Sequence, residues 1–251
     1  IYAGASAGFY VSKDAGTQWV QLSSGLDFAK LVLDPKTPST FYAGTHTQGL
    51  VKSTDGGKTW VVINPPGTSS CCGGIAADPQ DPAIVHLGVP GVGIFRSTDG
   101  GRNWTQVGTG CGYNWIAVDP TNPSIVYGAG CGFNKSADRG TTWQSSMAGM
   151  EGAEAFQLVL NPANPSTLLV AVSPPPDAFL AKFDSAGALI YSSYLGGSGQ
   201  EEGRAVAVDS SGNAYVAGYT RSKDLVTSPG ALQTTWGGQG DFFVTKLNPR
   251  G

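Results

Sequence analysis

Charge is scarce in this sequence. Asp, Glu, Lys and Arg make up 13% of the 251 residues, and the formal net charge is -3. No basic stripe is present, which removes the usual electrostatic driver of nucleic-acid binding. Histidine is nearly missing: His46 and His86 fall in separate repeats, His86 within an apolar strand. Neither has a partner at ligand spacing, and no Cys-x-x-Cys pair occurs, so no metal site is expected and both read as satisfied structural histidines. No apolar run approaches the roughly 18 residues that span a bilayer, which excludes membrane insertion by a helix. No secretory leader is visible, and Ile1-Tyr2-Ala3-Gly4 already reads as strand, so a leader or upstream segment can precede it. Sustained helical periodicity is missing too, and nothing calls for a cofactor.

What is present is turn chemistry. Gly (37) and Pro (16) account for about a fifth of the chain, below low-complexity composition. The four cysteines, Cys71, Cys72, Cys111 and Cys131, cluster in one third of the sequence. An even, clustered set suits disulfides in an oxidising compartment. A Cys111–Cys131 bridge would leave Cys71 and Cys72 as a vicinal pair or with one reaching a neighbouring loop, and the connectivity stays open.

One octapeptide recurs four times as Ser-x-Asp-x-Gly-x-x-Trp: Ser12 to Trp19, Ser53 to Trp60, Ser97 to Trp104 and Ser136 to Trp143. Its aspartates, Asp14, Asp55, Asp99 and Asp138, are 41, 44 and 39 residues apart. A second motif runs in phase: LVLDPKTPST from Leu31, IAADPQDPAI from Ile75, IAVDPTNPSI from Ile116 and LVLNPANPST from Leu158. Each period reads as four short strands. Strand A precedes Asp-Pro, as in Trp115 to Val118, and the x-Pro steps force the A–B turn. Strand B is Thr40 to Gly44 or Ile125 to Gly128, and strand C is Gly93 to Ser97. The octapeptide makes the C–D hairpin, and strand D is expected to start at its Trp. Four strands in a period of 40–45 residues predict an all-β, β-propeller fold.

The octapeptides resemble the Asp-box, or BNR, repeat over residues 1–178. From Phe179 onward the chain resembles the bacterial SBBP β-propeller repeat. The matching features are Ala-Val-Asp-x-x-Gly-Asn-Ala-Tyr-Val, Pro-Gly-Ala-x-Gln-Thr-Thr and the Lys-Leu-Asn-Pro-x-Gly ending. Asp224-Leu225-Val226-Thr227 departs from the Asp-Phe-Pro-Thr of that family. Both resemblances imply blades of one propeller domain over 1–251, at about 1–26, 27–66, 67–109, 110–150, 151–198 and 199–251. The first blade is expected to lack strand A and the last strand D, giving about 22 strands where six full blades hold 24. Such open edges are usually covered.

The octapeptide reads as structural. Its Asp is placed to accept backbone N–H groups, its Gly to permit positive φ, and Trp19, Trp60, Trp104 and Trp143 to bury a ring between blades. Asp boxes and Asp-Pro turns share one face of a propeller. The opposite face carries the loops that differ between repeats: Ile63 to Gly74, Gly108 to Asn114, Ser145 to Glu154, Ser173 to Asp177 and Arg221 to Gly240. Binding is expected there. The aromatic candidates are Tyr113, Trp115, Phe133 and Trp236, with Phe156 and Tyr219 beside them, suited to stacking on sugars.

Three functional readings follow. The first is a non-catalytic extracellular or cell-surface propeller for binding or self-assembly, partnered by glycan or by its own open blade edges. The second, implied by Asp boxes in xyloglucanase-type and sialidase propellers, is a secreted glycoside hydrolase. Sialidase chemistry needs an arginine cluster, and Arg102 and Arg139 lie inside octapeptides instead. An acid pair would have to come from Glu151, Glu154, Asp177, Glu201, Glu202, Asp224 and Asp241, none in a recognised catalytic motif. The third resembles Asp-box factors that assist photosystem assembly.

Overall fold

The computed structural model describes residues 1–68, 73–110, 113–130, 132–145, 154–161, 164, 167–173, 178–184 and 188–251. All regular structure in them is antiparallel β, arranged as six sheets. Sheet 1 holds β1 (Tyr2–Ala5), β2 (Gly8–Val11) and β3 (Val20–Ser24). Sheet 2 holds β4 (Phe28–Leu33), β5 (Phe41–Thr45), β6 (Gly49–Ser53) and β7 (Val61–Val62). Sheet 3 holds β8 (Ile75–Ala77), β9 (Val85–Val89), β10 (Gly93–Ser97) and β11 (Thr105–Thr109). Sheet 4 holds β12 (Tyr113–Val118), β13 (Val126–Gly130), β14 (Gly132–Ser136) and β15 (Gln144–Ser145). Sheet 5 holds β16 (Glu154–Leu160), β17 (Leu168–Ser173), β18 (Ala178–Phe183) and β19 (Leu189–Leu195). Sheet 6 holds β20 (Glu201–Val208), β21 (Ala214–Thr220) and β22 (Asp241–Leu247).

Each sheet is a meander whose strands follow chain order, the arrangement of a propeller blade. Strand C of sheet 3 spans Gly93–Ser97, and it pairs with strand B from Gly93↔Val89 to Ser97↔Val85. Strand D, however, starts one residue after the tryptophan, at Val20, Val61, Thr105 and Gln144. The cause is local: the N–H just before each tryptophan is held by the octapeptide aspartate, so ladder pairing resumes only beyond the ring.

The chain divides into two compact units, Ile1–Gly128 with Ser136–Trp143, and Ala129–Lys135 with Gln144–Gly251. In the first, successive sheets pack face on face. Phe9 of sheet 1 and Leu26 of the link to sheet 2 meet Phe28, Phe41, Ala43 and Val51. Tyr42 and Leu50 of sheet 2 meet Val85, Leu87 and Phe95, and Ala76 and Ile94 of sheet 3 meet Ile116 and Val126. In the second unit, Leu169, Ala178, Leu180 and Leu195 of sheet 5 meet Val206, Val216, Phe243 and Leu247 of sheet 6. Because side chains alternate along each strand, a blade serves two cores at once, one per face.

Trp60, Trp104 and Trp143 each sit at such a junction. Trp60 packs on Phe9, Phe28 and Phe41, and Trp104 donates its indole N–H to the Ile63 carbonyl of the preceding sheet at 2.8 Å. Trp19 departs from the expectation of a buried ring, being 43% exposed. Its ring rests on its own hairpin, with the indole N–H on the Gly16 carbonyl at 3.1 Å.

His86 is a second departure. Its ring is fully buried, and neither ring nitrogen has a hydrogen-bond partner among the described residues. It lies against Gly140 of the next hairpin, where an added Cβ would come within 2.4 Å of His86 Cε1. Burial, and secondarily the charge of Arg96, pushes its pKa down to about 3. The native state therefore excludes a proton that the unfolded chain binds below about pH 6.5, and stability falls as pH drops from there toward 3.

Two outcomes follow. Gly140→Ala should cost about 1–3 kcal/mol in chemical denaturation, through both its φ of 74° and the collision with His86. His86→Leu should flatten the stability profile between pH 6.5 and 4.5, removing up to about 1.4 kcal/mol per pH unit. An unchanged slope in that window would show that His86 is not its source.

Candidate functional site

The four octapeptides share one hydrogen-bond pattern. Each serine hydroxyl donates to the aspartate Oδ1 at 2.8 Å, in Ser12–Asp14, Ser53–Asp55, Ser97–Asp99 and Ser136–Asp138. The same hydroxyl accepts the N–H of Gly16, Gly57, Gly101 or Gly140 at 2.8–2.9 Å. Oδ1 then accepts the N–H of Gln18, Thr59, Asn103 or Thr142 at 2.8–3.0 Å. In three hairpins Oδ2 takes the side chain of that residue as well, Thr59, Asn103 or Thr142, at 2.6–2.7 Å. These bonds favour the ionised form. The Gln18 N–H holds the Asp14 carboxyl below the usual range, and the Thr59 hydroxyl does so for Asp55. Asp99 and Asp138 lie at about 2, through the N–H groups of Asn103 and Thr142 respectively. Each carboxylate is engaged within its own turn, so the four do not converge on a common ligand.

The A–B turns hold a device that the proline pattern did not reveal. Asp34, Asp78 and Asp119 are buried. Each carboxylate caps the following turn, accepting two backbone N–H groups, as Asp34 does from Lys36 at 2.9 Å and Thr37 at 3.1 Å. Asp78 and Asp119 repeat it. The visible signal is the Asp two or three residues before a turn N–H, a familiar side-chain mimic of backbone turns. The capped turn then takes the hairpin: Gly56, Gly100 and Arg139 donate N–H to Ser39, Ala83 and Ser124 at 2.9, 2.8 and 3.0 Å.

The candidate binding aromatics are scattered. Tyr113 is half-buried, its ring 6.4 Å from that of Trp143, and burial raises its hydroxyl pKa. Trp115 lies on the same strand, with the Lys30 ammonium 4.3 Å over its ring. That cation covers one face of the ring. Phe133 is fully buried and stacks on Phe183 at 5.4 Å, so it is a core residue with no face for a ligand. Trp236 is partly exposed in the Arg221–Gly240 loop, with Lys223 4.9 Å over its ring. Tyr219 donates to the Gln239 carbonyl at 2.7 Å. The Phe156 side chain and all four cysteines, Cys71, Cys72, Cys111 and Cys131, lie outside the described residues.

The acidic candidates are likewise engaged. Glu201 is buried and accepts from Ser222 Oγ at 2.5 Å, Thr220 Oγ1 at 2.6 Å and the Gly197 N–H at 3.0 Å. Burial pushes its pKa up, but these bonds outweigh it and hold the carboxyl below the usual range. Asp224 is tied to Ser198, Asp241 to the Gly237 N–H, and Glu202 to Arg204. The Asp224 contacts also show how its variant loop is closed. Glu151, Asp177 and the Glu154 side chain are outside the described residues. His46 is exposed and sits 3.2 Å from Asp27. Among the described residues no group of three His, Cys, Asp or Glu could hold a metal ion.

Residues 190–225 match the family profile of the SBBP beta-propeller repeat. No curated protein matches the chain. Among solved structures it is similar to the Niastella koreensis GH74 enzyme, with 21% identity, TM-score 0.67, and coverage of 85% of this chain and 38% of that one. It is also similar to the GH74 xyloglucanase of Xanthomonas campestris, with 16% identity, TM-score 0.72, and coverage of 99% and 42%. YCF48 from Cyanidioschyzon merolae gives 12% identity, TM-score 0.58, and coverage of 84% and 71%. The chain thus spans about two fifths of the GH74 structures, 38% and 42%. At these identities the likeness concerns architecture: the chain has the β-propeller fold, in six antiparallel blades.

Proposed function

We propose that the chain is a non-catalytic, extracellular or cell-surface propeller that acts as a binding and self-assembly module, with Asp-box (BNR) repeats over residues 1–178. The observation that carries this reading is the apolar outer face of sheet 6, where Phe242 is 88% and Val244 74% exposed. Solvent-facing apolar side chains grouped on one strand form a contact surface for another protein. The described acids, by contrast, are consumed in turns and loops. An oxidising compartment fits the clustered cysteines, which would staple loops. A glycan partner would use Trp236, the exposed aromatic among the candidates.

A secreted glycoside hydrolase of the xyloglucanase type is the second reading, favoured by superposition along 99% of the chain on a GH74 xyloglucanase. It requires two carboxyls roughly 5–10 Å apart across a cleft.

Light scattering across a concentration series, together with an oligosaccharide hydrolysis screen, separates the two. Assembly that grows with concentration and no release of reducing ends is the expected result. A monodisperse monomer at every concentration would remove the assembly reading. Turnover that disappears in Glu151→Gln or Glu201→Gln would establish the hydrolase.

A further inference from the structure

A repeated clamp joins neighbouring blades within each unit. The penultimate residue of strand C is basic in sheets 2 to 6: Lys52, Arg96, Lys135, Lys182 and Lys246. In three of them it donates to a backbone carbonyl in the C–D turn of the next blade. Lys52 reaches Gly100 at 2.8 Å, Arg96 reaches Arg139 at 2.8 Å, and Lys182 reaches Pro249 at 2.7 Å. The cation is steered by its cross-strand neighbour, in the pairs Tyr42↔Lys52 and His86↔Arg96. Lys52 lies 5.1 Å over the Tyr42 ring.

Sheet 6 carries the same pair, Tyr215↔Lys246, with the ammonium 5.2 Å over the ring. Among the described residues no carbonyl accepts from Lys246. On the same face, Phe242 meets Tyr219 edge-on at 6.0 Å, and Val244 is 74% exposed. The opposite face of this sheet is filled by the core it shares with sheet 5. Sheet 6 is therefore equipped on its bare face to hold one more blade.

Sheet 1 shows the complementary surface within its own unit. Ile1 is 62% exposed, whereas Phe41, at the matching place in sheet 2, is buried. Ala3 pairs with Tyr10 on the side turned away from Phe28 and Phe41. A Cβ on Gly57, Gly101 or Gly140 would strike Phe9, Ile63 or His86 of the preceding blade, but one on Gly16 meets only Ile1 and Trp19. Ala15 adopts φ 59°, as Arg139 does at 57°, so its carbonyl stands where Arg96 finds that of Arg139.

We propose that sheet 6 of one molecule docks against sheet 1 of a second copy, with Lys246 donating to the Ala15 carbonyl and with Phe242 and Val244 covering Ile1, Ala3, Tyr10 and Trp19. This rests on the self-assembly reading and specifies its interface. The two faces differ, so the contact is head-to-tail and propagates unless its rotation closes.

The test uses two variants of exposed or half-exposed positions, Phe242→Asp and Ala3→Arg, with circular dichroism confirming that both remain folded. Each alone should weaken association at least 100-fold. Mixed one to one, they should form a heterodimer that grows no further, because one good face of each kind remains. Lys246→Met should weaken wild-type association about tenfold, as expected for loss of a charged hydrogen bond. Wild-type-like assembly by both variants would overturn this interface while leaving self-assembly standing. A wild-type chain that stays monomeric would overturn the self-assembly reading, and this inference with it. A monomer in which solvent labelling finds Phe242 protected would place the contact inside one molecule and overturn the proposal.

Discussion

The structure depends on satisfying backbone N–H groups in tight turns without help from neighbouring strands. A blade of two- to eight-residue strands has little ladder to spare, so a loose hairpin would release most of a strand. The serine and aspartate of the octapeptide supply the missing acceptors locally, and the buried Asp34, Asp78 and Asp119 do the same one turn earlier. An unsatisfied buried amide costs about 1–3 kcal/mol, comparable with burying a valine or leucine. Each turn therefore weighs as much as a core side chain.

Once the turns are rigid they become docking parts. Gly100 and Arg139 present carbonyls at fixed places, and Lys52 and Arg96 of the preceding blade find them. Tryptophans on the same hairpins fill the junctions with apolar area. The stacking is consequently directional: one face of a blade gives a cation and an aromatic, and the other receives them. His86 shows that this geometry overrides local preference, since a histidine stands unpaired where sheet 2 has Tyr42.

The same economy engages most of the described candidate carboxylates. The octapeptide aspartates are tied into turns, and Glu201 is enclosed by Ser222 and Thr220. Exposed apolar side chains stand in the Arg221–Gly240 loop, with Trp236, and around Phe242 and Val244.

Much of the fold was legible in the sequence. The period of the octapeptides and of the Asp-Pro steps marked where strands end, because proline and glycine restrict the backbone wherever they occur. Strand C at Gly93–Ser97 followed from that punctuation. Local rules also foretold hairpins built on Asp14, Asp55, Asp99 and Asp138. The burial of Phe133, the exposure of Trp19, the lysine over Trp115 and the unpaired His86 were not legible, because each depends on which blade lies against which face. Turn chemistry acts over a few residues and is written in them, whereas the environment of a ring is set by neighbours roughly one repeat, about 40 residues, away, which only the folded chain brings within reach.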